Sequence, residues 1–364
     1  MPSLQTLDDG CPDAAPQQLQ ELNHNGSVLA IAVSNQYIFV GTSKGEIAIW
    51  SLGTYEPVRT IQAHKRSVLS LFITDDFKYL FSTASEPIIS VWCPKTFTRL
   101  YEIYTTHDVG DVFSVAYSAQ RDTVYIGTQT QEIQWVSLSD PSRKTTVDSP
   151  THPDNRRHRF FDSSAVGGTS TPRRVEDHYA LIPRAEEVLE IHPGAVRQYA
   201  HYGWVHCLQI AKATNVIVDP DEEVLVSTGG DGTIKLWKLK DEGPEYDEND
   251  EIRGDIEELM VLGEDDTESV MSLAIDGTFL YAGKLHGIIE LWDLDTKQLL
   301  RVIKAHDGHV NTLGMKFGLL WSAATGGSAS VSSPNVRPLS TTTDPTLHTE
   351  TQHCPLRKGR KWFG

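Results

Sequence analysis

Apolar and polar residues alternate in short runs along most of this chain, and the runs recur in a fixed order. One kind of run closes on tryptophan: EIAIW at Trp50, IISVW at Trp92, QEIQW at Trp135, TIKLW at Trp237 and IIELW at Trp292. Period-two alternation of β-branched residues over such a length predicts a half-buried strand. Two more runs of this kind precede each tryptophan. They are SVLAIAV (27–33) and YIFVGT (37–42), SVLSLFI (67–73) and YLFSTA (79–84), then DVFSVAY (111–117) and TVYIGT (123–128). WVHCLQI (204–210) and EVLVSTGGDG (223–232) come before Trp237, and SVMSLAI (269–275) and FLYAGKLHG (279–287) before Trp292. A fourth run follows, such as PVRTI (57–61) or LLRVI (299–303), and a histidine opens most units: His24, His64, His107, His201 and His306.

Four short strands in a unit of roughly 40–45 residues have a face that one sheet cannot bury alone, and radial stacking of such sheets buries it. The expected fold class is all-β, a β-propeller of WD40 repeats, with five full four-stranded blades plus a partial sixth and long loop insertions. The units resemble the WD-repeat family, most closely at TGGDGTIKLW (228–237). The resemblance implies a buried, hydrogen-bonded structural network at His201, Ser227, Asp231 and Trp237. Units one to three depart from the pattern, with Lys44, Glu86 and Thr130 near the turn where Asp is expected. Their networks are expected to be incomplete.

The repeat region is expected to span 24–324, between a disordered N-terminal segment (1–23) and a disordered C-terminal tail (325–364). Residues 137–195 interrupt unit three before its last strand, which AVRQYA (195–200) should supply. Pro141, Pro150, Pro153, Pro172 and the pair Gly167–Gly168 mark the first part of this insert as loop. Within it, RRHRFFDSS (156–164) sets Phe160 and Phe161 among arginines. Its bland reading is that the rings tuck back onto the sheets. The sharper one makes Arg156, Arg157, Phe160 and Phe161, with Tyr199, Tyr202 and Trp204, candidate partner-binding residues, because binding hot spots favour aromatic and Arg side chains. A sixth unit begins at His306 with HVNTLGM (309–315) and LLWSAA (319–324), but no third strand follows in the sequence pattern. A half blade would expose a strand edge, so the natural continuation is expected to be missing here.

Charge adds one feature. The net charge is −17, and residues 241–268 hold 14 Asp or Glu against Arg253, so most of the acidity sits in a linker (240–268) read as solvated. ELMVL (258–262) should form a strand within it. The near-neutral remainder argues against a nucleic-acid partner. No apolar run is long enough for a membrane span, and the polar, acidic start is no secretory signal. A cytoplasmic location is expected, with Cys11, Cys93, Cys207 and Cys354 as reduced thiols.

The sequence carries no phosphate loop, HExxH or CxxC motif. His152, Asp154, Asp177, Glu186 and Glu187 resemble a di-zinc peptidase set, yet a metal site needs a rigid supported cavity, which this insert lacks. No catalytic residue, metal ligand or cofactor is therefore assigned.

Several stretches exceed the generic repeat: HDVGDVFSVAY (107–117), RRHRFFDSS, YAHYGWVHCL (199–208) and GKLHGIIELWDLDTKQLL (283–300). They resemble the large-subunit family of the fungal glutathione-degrading complex, whose members join a WD-repeat region to an M20-type, zinc-binding peptidase domain. The resemblance spans about 24–324 and leaves the peptidase domain and its zinc without counterparts in this sequence. It implies a non-catalytic protein–protein interaction scaffold, with a glutamine-amidotransferase-like subunit as partner. The alternatives are a generic WD-repeat adaptor in ubiquitin ligation or signalling, and a metallopeptidase-associated hydrolase.

Overall fold

The structure is a computed structural model. It describes residues 27–107, 109–140, 144–145, 182–183, 185–212, 222–241, 254–263, 268–316, 319–324 and 328–332. His24, the expected N-terminal segment 1–23, the expected tail 325–364 apart from 328–332, and RRHRFFDSS lie outside these residues, as does most of the acidic linker.

The described residues form antiparallel sheets that follow one another along the chain. Sheet 1 comprises Val28–Val33, Tyr37–Thr42, Glu46–Ser51 and Pro57–Gln62. Sheet 2 begins Val68–Ile73, Leu80–Ala84, Glu86–Trp92 and Arg99–Tyr104. Sheet 3 holds Val112–Ser118, Thr123–Thr128, Ile133–Ser137 and the short Val196–Arg197. Sheet 4 runs Val205–Lys212, Glu223–Gly229, Ile234–Leu239 and Ile256–Leu262, the last inside the acidic linker. Sheet 5 is Val270–Asp276, Phe279–Lys284, Ile288–Asp293 and Gln298–Lys304. Sheet 6 is Val310–Lys316, Leu319–Ala324 and Ser328–Ser332.

Two findings correct the sequence reading. Sheet 6 does have a third strand, Ser328–Ser332, paired antiparallel to Leu319–Ala324. SASVS carries neither a β-branched run nor a tryptophan, so alternation could not reveal it. Its backbone pairing supplies what its side chains do not signal, and the tail cannot begin at 325. The first part of the insert is also not all loop: Lys144–Thr145 pairs with Glu187–Glu190, which joins the outer edge of sheet 2, parallel to Arg99–Tyr104. Val188 and Leu189 are buried there, which places an apolar pair on an edge that would otherwise be open.

One register unites the sheets. A valine opens each first strand (Val28, Val68, Val112, Val205, Val270, Val310), and a bulge follows it. The tryptophans face Ile38, Leu80, Tyr125, Leu225 and Leu280 across the sheet. In sheet 6 the same position, opposite Leu320, belongs to Ser332. First strands of successive sheets pack on each other in order. The core is correspondingly shared between neighbours: Leu225, Trp237 and Ile256 of sheet 4 join the cluster built on sheets 2 and 3.

Candidate functional site

The structure brings His201, Ser227, Asp231 and Trp237 together. The His201 and Trp237 side chains are buried. Trp237 Nε1–H donates to Ser227 Oγ at 2.8 Å, and that hydroxyl meets His201 Nε2 at 2.7 Å. His201 Nδ1 lies 3.1 Å from both carboxylate oxygens of Asp231. The network fixes the tautomer: Nδ1–H donates to the carboxylate and Nε2 accepts the serine proton. Asp231 also accepts Thr233 N–H at 3.0 Å and Tyr202 N–H at 2.8 Å. Burial works against its charge, but the His201 hydrogen bond, the imidazole's field and the two amides outweigh it. The carboxyl is held well below the usual carboxylate range.

Sheet 2 corrects the expectation of an incomplete network. Glu86 accepts from His64 Nδ1 at 2.7 Å, His64 Nε2 meets Ser82 Oγ at 2.8 Å, and Trp92 Nε1 donates to the same hydroxyl at 2.9 Å. A glutamate does the work of the aspartate with one more methylene. Burial lowers the His64 pKa, and Glu86, despite its own burial, is drawn below its ordinary value by the His64 hydrogen bond.

The other sheets diverge. In sheet 3 the register position of the serine, counted from the first strand, is Ile126, and the buried Trp135 indole N–H finds no hydrogen-bond partner. Its Thr130 hydroxyl turns to Thr128, and His107, half exposed, reaches Glu132 at 3.3 Å instead. In sheet 1, Val40 fills the serine position, and exposed Lys44 offers its backbone N–H to Thr42. Sheet 5 substitutes an ion pair: Lys284 Nζ lies 2.8 Å from Glu290, which accepts from Trp292 Nε1 at 3.1 Å. In sheet 6, His306 Nε2 meets Ser322 Oγ at 2.8 Å.

The sheet 4 network has a second consequence, because it anchors the loop that leads into the sheet. The Tyr202 amide is pinned to Asp231, and the Gly230 N–H donates to the Trp204 carbonyl at 2.9 Å. A Cβ on Gly203 would come within 2.8 Å of the Gly230 backbone, so the loop is pressed flat against the turn. Held this way, Tyr199 and Tyr202 are each 74% exposed and Trp204 is 48% exposed. Trp204 stacks on Phe113 of sheet 3, with centroids 5.5 Å apart, and His206 meets both rings. Burial holds the His206 imidazole below its ordinary pKa. The result is a rigid, exposed aromatic rim across the junction of sheets 3 and 4. Phe113 and His206 were not singled out in the sequence, where each looks like an ordinary strand position.

Arg156, Arg157, Phe160 and Phe161 lie outside the described residues, as do His152, Asp154 and Asp177. Glu187 is engaged by Lys144 Nζ at 2.8 Å, and Glu186 is exposed beside it. Burial raises the Cys207 thiol to about 11, an inert setting for a sulfur nucleophile.

The four network residues fall within residues 195–238, which match the model of the WD domain, G-beta repeat family. The chain carries a WD40 repeat. Around that WD40 repeat it is 28% identical over 327 residues to the probable di- and tripeptidase DUG2 of Saccharomyces cerevisiae, covering 80% of this chain and 36% of that protein. It is 26% identical over 229 residues to a p21-activated protein kinase-interacting protein 1-like protein of Danio rerio, covering 60% of this chain and 54% of the relative. It is 22% identical over 307 residues to the kinesin-like protein KIF21B of Mus musculus, covering 84% and 16%. The chain thus spans only part of each curated relative it matches.

Proposed function

We propose that this chain is a non-catalytic, cofactor-free protein–protein interaction scaffold. In this reading its sheets stack radially as a propeller, and it serves as the WD-repeat part of a glutathione-degrading assembly in the cytoplasm. The observation that carries the scaffold reading is the aromatic rim: a buried polar network holds Tyr202 and Trp204 in the open. Large rigid rings fixed before binding lose little entropy on docking, which suits a partner-binding edge. The likeness to a di- and tripeptidase over 80% of this chain supports the link to peptide breakdown. The partner in this reading is a glutamine-amidotransferase-like subunit.

Co-purification of the full chain with that subunit tests the reading. Trp204→Ala with Tyr202→Ala should weaken capture by about 2 kcal/mol or more, roughly thirtyfold, with unchanged thermal unfolding. Capture that survives the double substitution would remove the rim from the interface. Absence of the subunit from pulldowns would remove the assembly. A second reading, an adaptor for signalling proteins, is favoured by the likeness to the kinase-interacting relative. Turnover of glutathione by the purified chain with zinc or manganese would overturn the non-catalytic reading.

A further inference from the structure

Sheet 2 shows how the outer edge of a sheet in this chain takes up an extra strand. Glu187, Val188, Leu189 and Glu190 lie parallel to the edge, opposite Tyr101, Glu102, Ile103 and Tyr104. The Glu186 N–H donates to the Arg99 carbonyl at 3.1 Å, and the Ile191 N–H donates to the Tyr104 carbonyl at 3.2 Å. The added segment reads acid–apolar–apolar–acid, with a carboxylate at each end of the paired run.

Sheet 5 presents the same edge without such a strand. Among the described residues, no strand pairs with the outer side of Gln298–Lys304. Five of its seven residues are exposed: Gln298, Leu299, Arg301, Val302 and Lys304. A bulge beside the tryptophan sets one register in both sheets. Trp92 faces Arg99 and Val91 faces Tyr101, just as Trp292 faces Leu299 and Leu291 faces Arg301. Tyr101, Glu102, Ile103 and Tyr104 therefore correspond to Arg301, Val302, Ile303 and Lys304. The two carbonyls that receive the added strand in sheet 2 correspond to those of Leu299 and Lys304. A bare edge of this length is a template for strand pairing.

We infer that this edge is a docking site for an extended partner segment of the pattern acid–apolar–apolar–acid, which adds parallel to Arg301–Lys304 as a further strand. Residues directly opposite in paired strands point to the same face, and successive residues alternate. The first acid then stands beside Arg301 and the last beside Lys304, one on each face of the junction. The central apolar residues meet Val302, which is 56% exposed, and Ile303. Lys304 Nζ donates to the His286 carbonyl and keeps its remaining N–H groups for a carboxylate. The edge carries two cations and no acid on a chain of net charge −17, so charge complementarity selects an acidic segment. The other outer strands lack this pair of cations. Sheet 1 starts its strand with Pro57 and offers Arg59 and the uncharged Gln62 at the two positions. Sheet 4 offers Met260 in place of Arg301 and carries Glu257 and Glu258 just before it. The site lies on a different sheet from the aromatic rim and stands without it.

A fluorescein-labelled peptide of the sequence AEEVLEIH, copied from residues 185–192, tests it when added to the full chain. The chain's own copy of that segment keeps its place on sheet 2 because it is tethered there. The expected result is a saturable rise in fluorescence anisotropy, with slowed hydrogen exchange of the amides of 298–304. Arg301→Glu combined with Lys304→Glu, both at exposed positions, should weaken binding by about tenfold or more, with far-UV circular dichroism unchanged. A peptide carrying Glu187→Lys and Glu190→Lys should reverse the preference and bind this double variant better than the wild type. Trp204→Ala with Tyr202→Ala should leave peptide binding unchanged, which separates this site from the rim. A peptide that does not bind the wild-type chain overturns the inference. So does protection confined to another strand, binding that the double variant leaves intact, or a charge-reversed peptide that still prefers the wild type.

Discussion

Glu86 lies 2.7 Å from His64 Nδ1 and closes in sheet 2 the circuit that Asp231 closes with His201 in sheet 4. Each acid stands four residues after its serine and six before its tryptophan. Spacing therefore specifies the network, and the choice between Asp and Glu adjusts only its reach. Two sheets thus carry a buried chain of hydrogen bonds running indole, hydroxyl, imidazole, carboxylate. Such chains cost little when complete and much when broken.

Ser227→Ala should break it at its middle. The alanine leaves Trp237 Nε1–H without its acceptor and His201 Nε2 without its donor, both in a buried setting. A loss of about 2–4 kcal/mol is expected, and Ser82→Ala should match it in sheet 2. Urea unfolding followed by tryptophan fluorescence measures both. A change below about 1 kcal/mol would show that water replaces the hydroxyl.

The pH dependence has a definite sign. His64 and His206 are held below their ordinary pKa by burial, so the unfolded chain takes up protons that the folded chain refuses. Stability is therefore full above the unfolded value of 6.5 and is lost as pH falls through and below it. Asp231 and Glu86 are held down as well, and their contribution begins to disappear only as pH falls through the ordinary carboxylate range. Urea midpoints should decline from about pH 7 to 5 and then fall again below about 4.5. His64→Gln should lower stability throughout and flatten the upper part of the decline. A flat wild-type profile down to pH about 5 would contradict the burial argument.

What the sequence disclosed follows from where side chains carry the pattern. Alternating runs ending in Trp50, Trp92, Trp135, Trp237 and Trp292 locate the third strands, because burial demands apolar residues there. Ser328–Ser332 is held by backbone pairing to Leu319–Ala324, and backbone pairing leaves no trace in residue type. Glu187–Glu190 pairs in parallel with a strand some eighty residues earlier, a distance over which no local signal operates. Glu86 was legible in principle, since its offset from Ser82 equals that of Asp231 from Ser227. The aromatic rim was half legible: Tyr199, Tyr202 and Trp204 stand out in a loop, whereas Phe113 enters only through the packing of sheet 3 against sheet 4.

Gly127 separates repair on paper from repair in space. Sheets 2 and 4 carry the hydroxyl residues Thr83 and Thr228 at this register, so a serine would bring sheet 3 into line with them. The added Cβ, however, would meet Ser114 Oγ at 2.5 Å, Val205 Cγ1 at 2.9 Å and the Val205 carbonyl at 3.1 Å. The last is backbone of the next sheet and cannot swing aside. Overpacking of this kind costs about 1–3 kcal/mol, against about 1 kcal/mol from a hydrogen bond. Gly127→Ser should therefore destabilise the chain, as read by a lowered thermal midpoint. A raised midpoint would show that sheets 3 and 4 can separate slightly at this junction.

Sheet 5 tests whether an ion pair can stand in for the serine network. Lys284 and Glu290 are nearly buried at 2.8 Å, and Glu290 also accepts from Trp292 Nε1. Removing one member leaves the other charge buried without its counterion, a loss of about 3–5 kcal/mol. Lys284→Met should show this in full, because Glu290 keeps only the indole as donor. Lys284→Met combined with Glu290→Gln removes both charges and retains an acceptor for Trp292, so the double variant should recover much of the loss. Thermal unfolding of the two singles and the double gives the coupling directly. If the double is as unstable as the sum of the singles, the pair is not a coupled unit, and Lys284 acts in sheet 5 through its aliphatic stem alone.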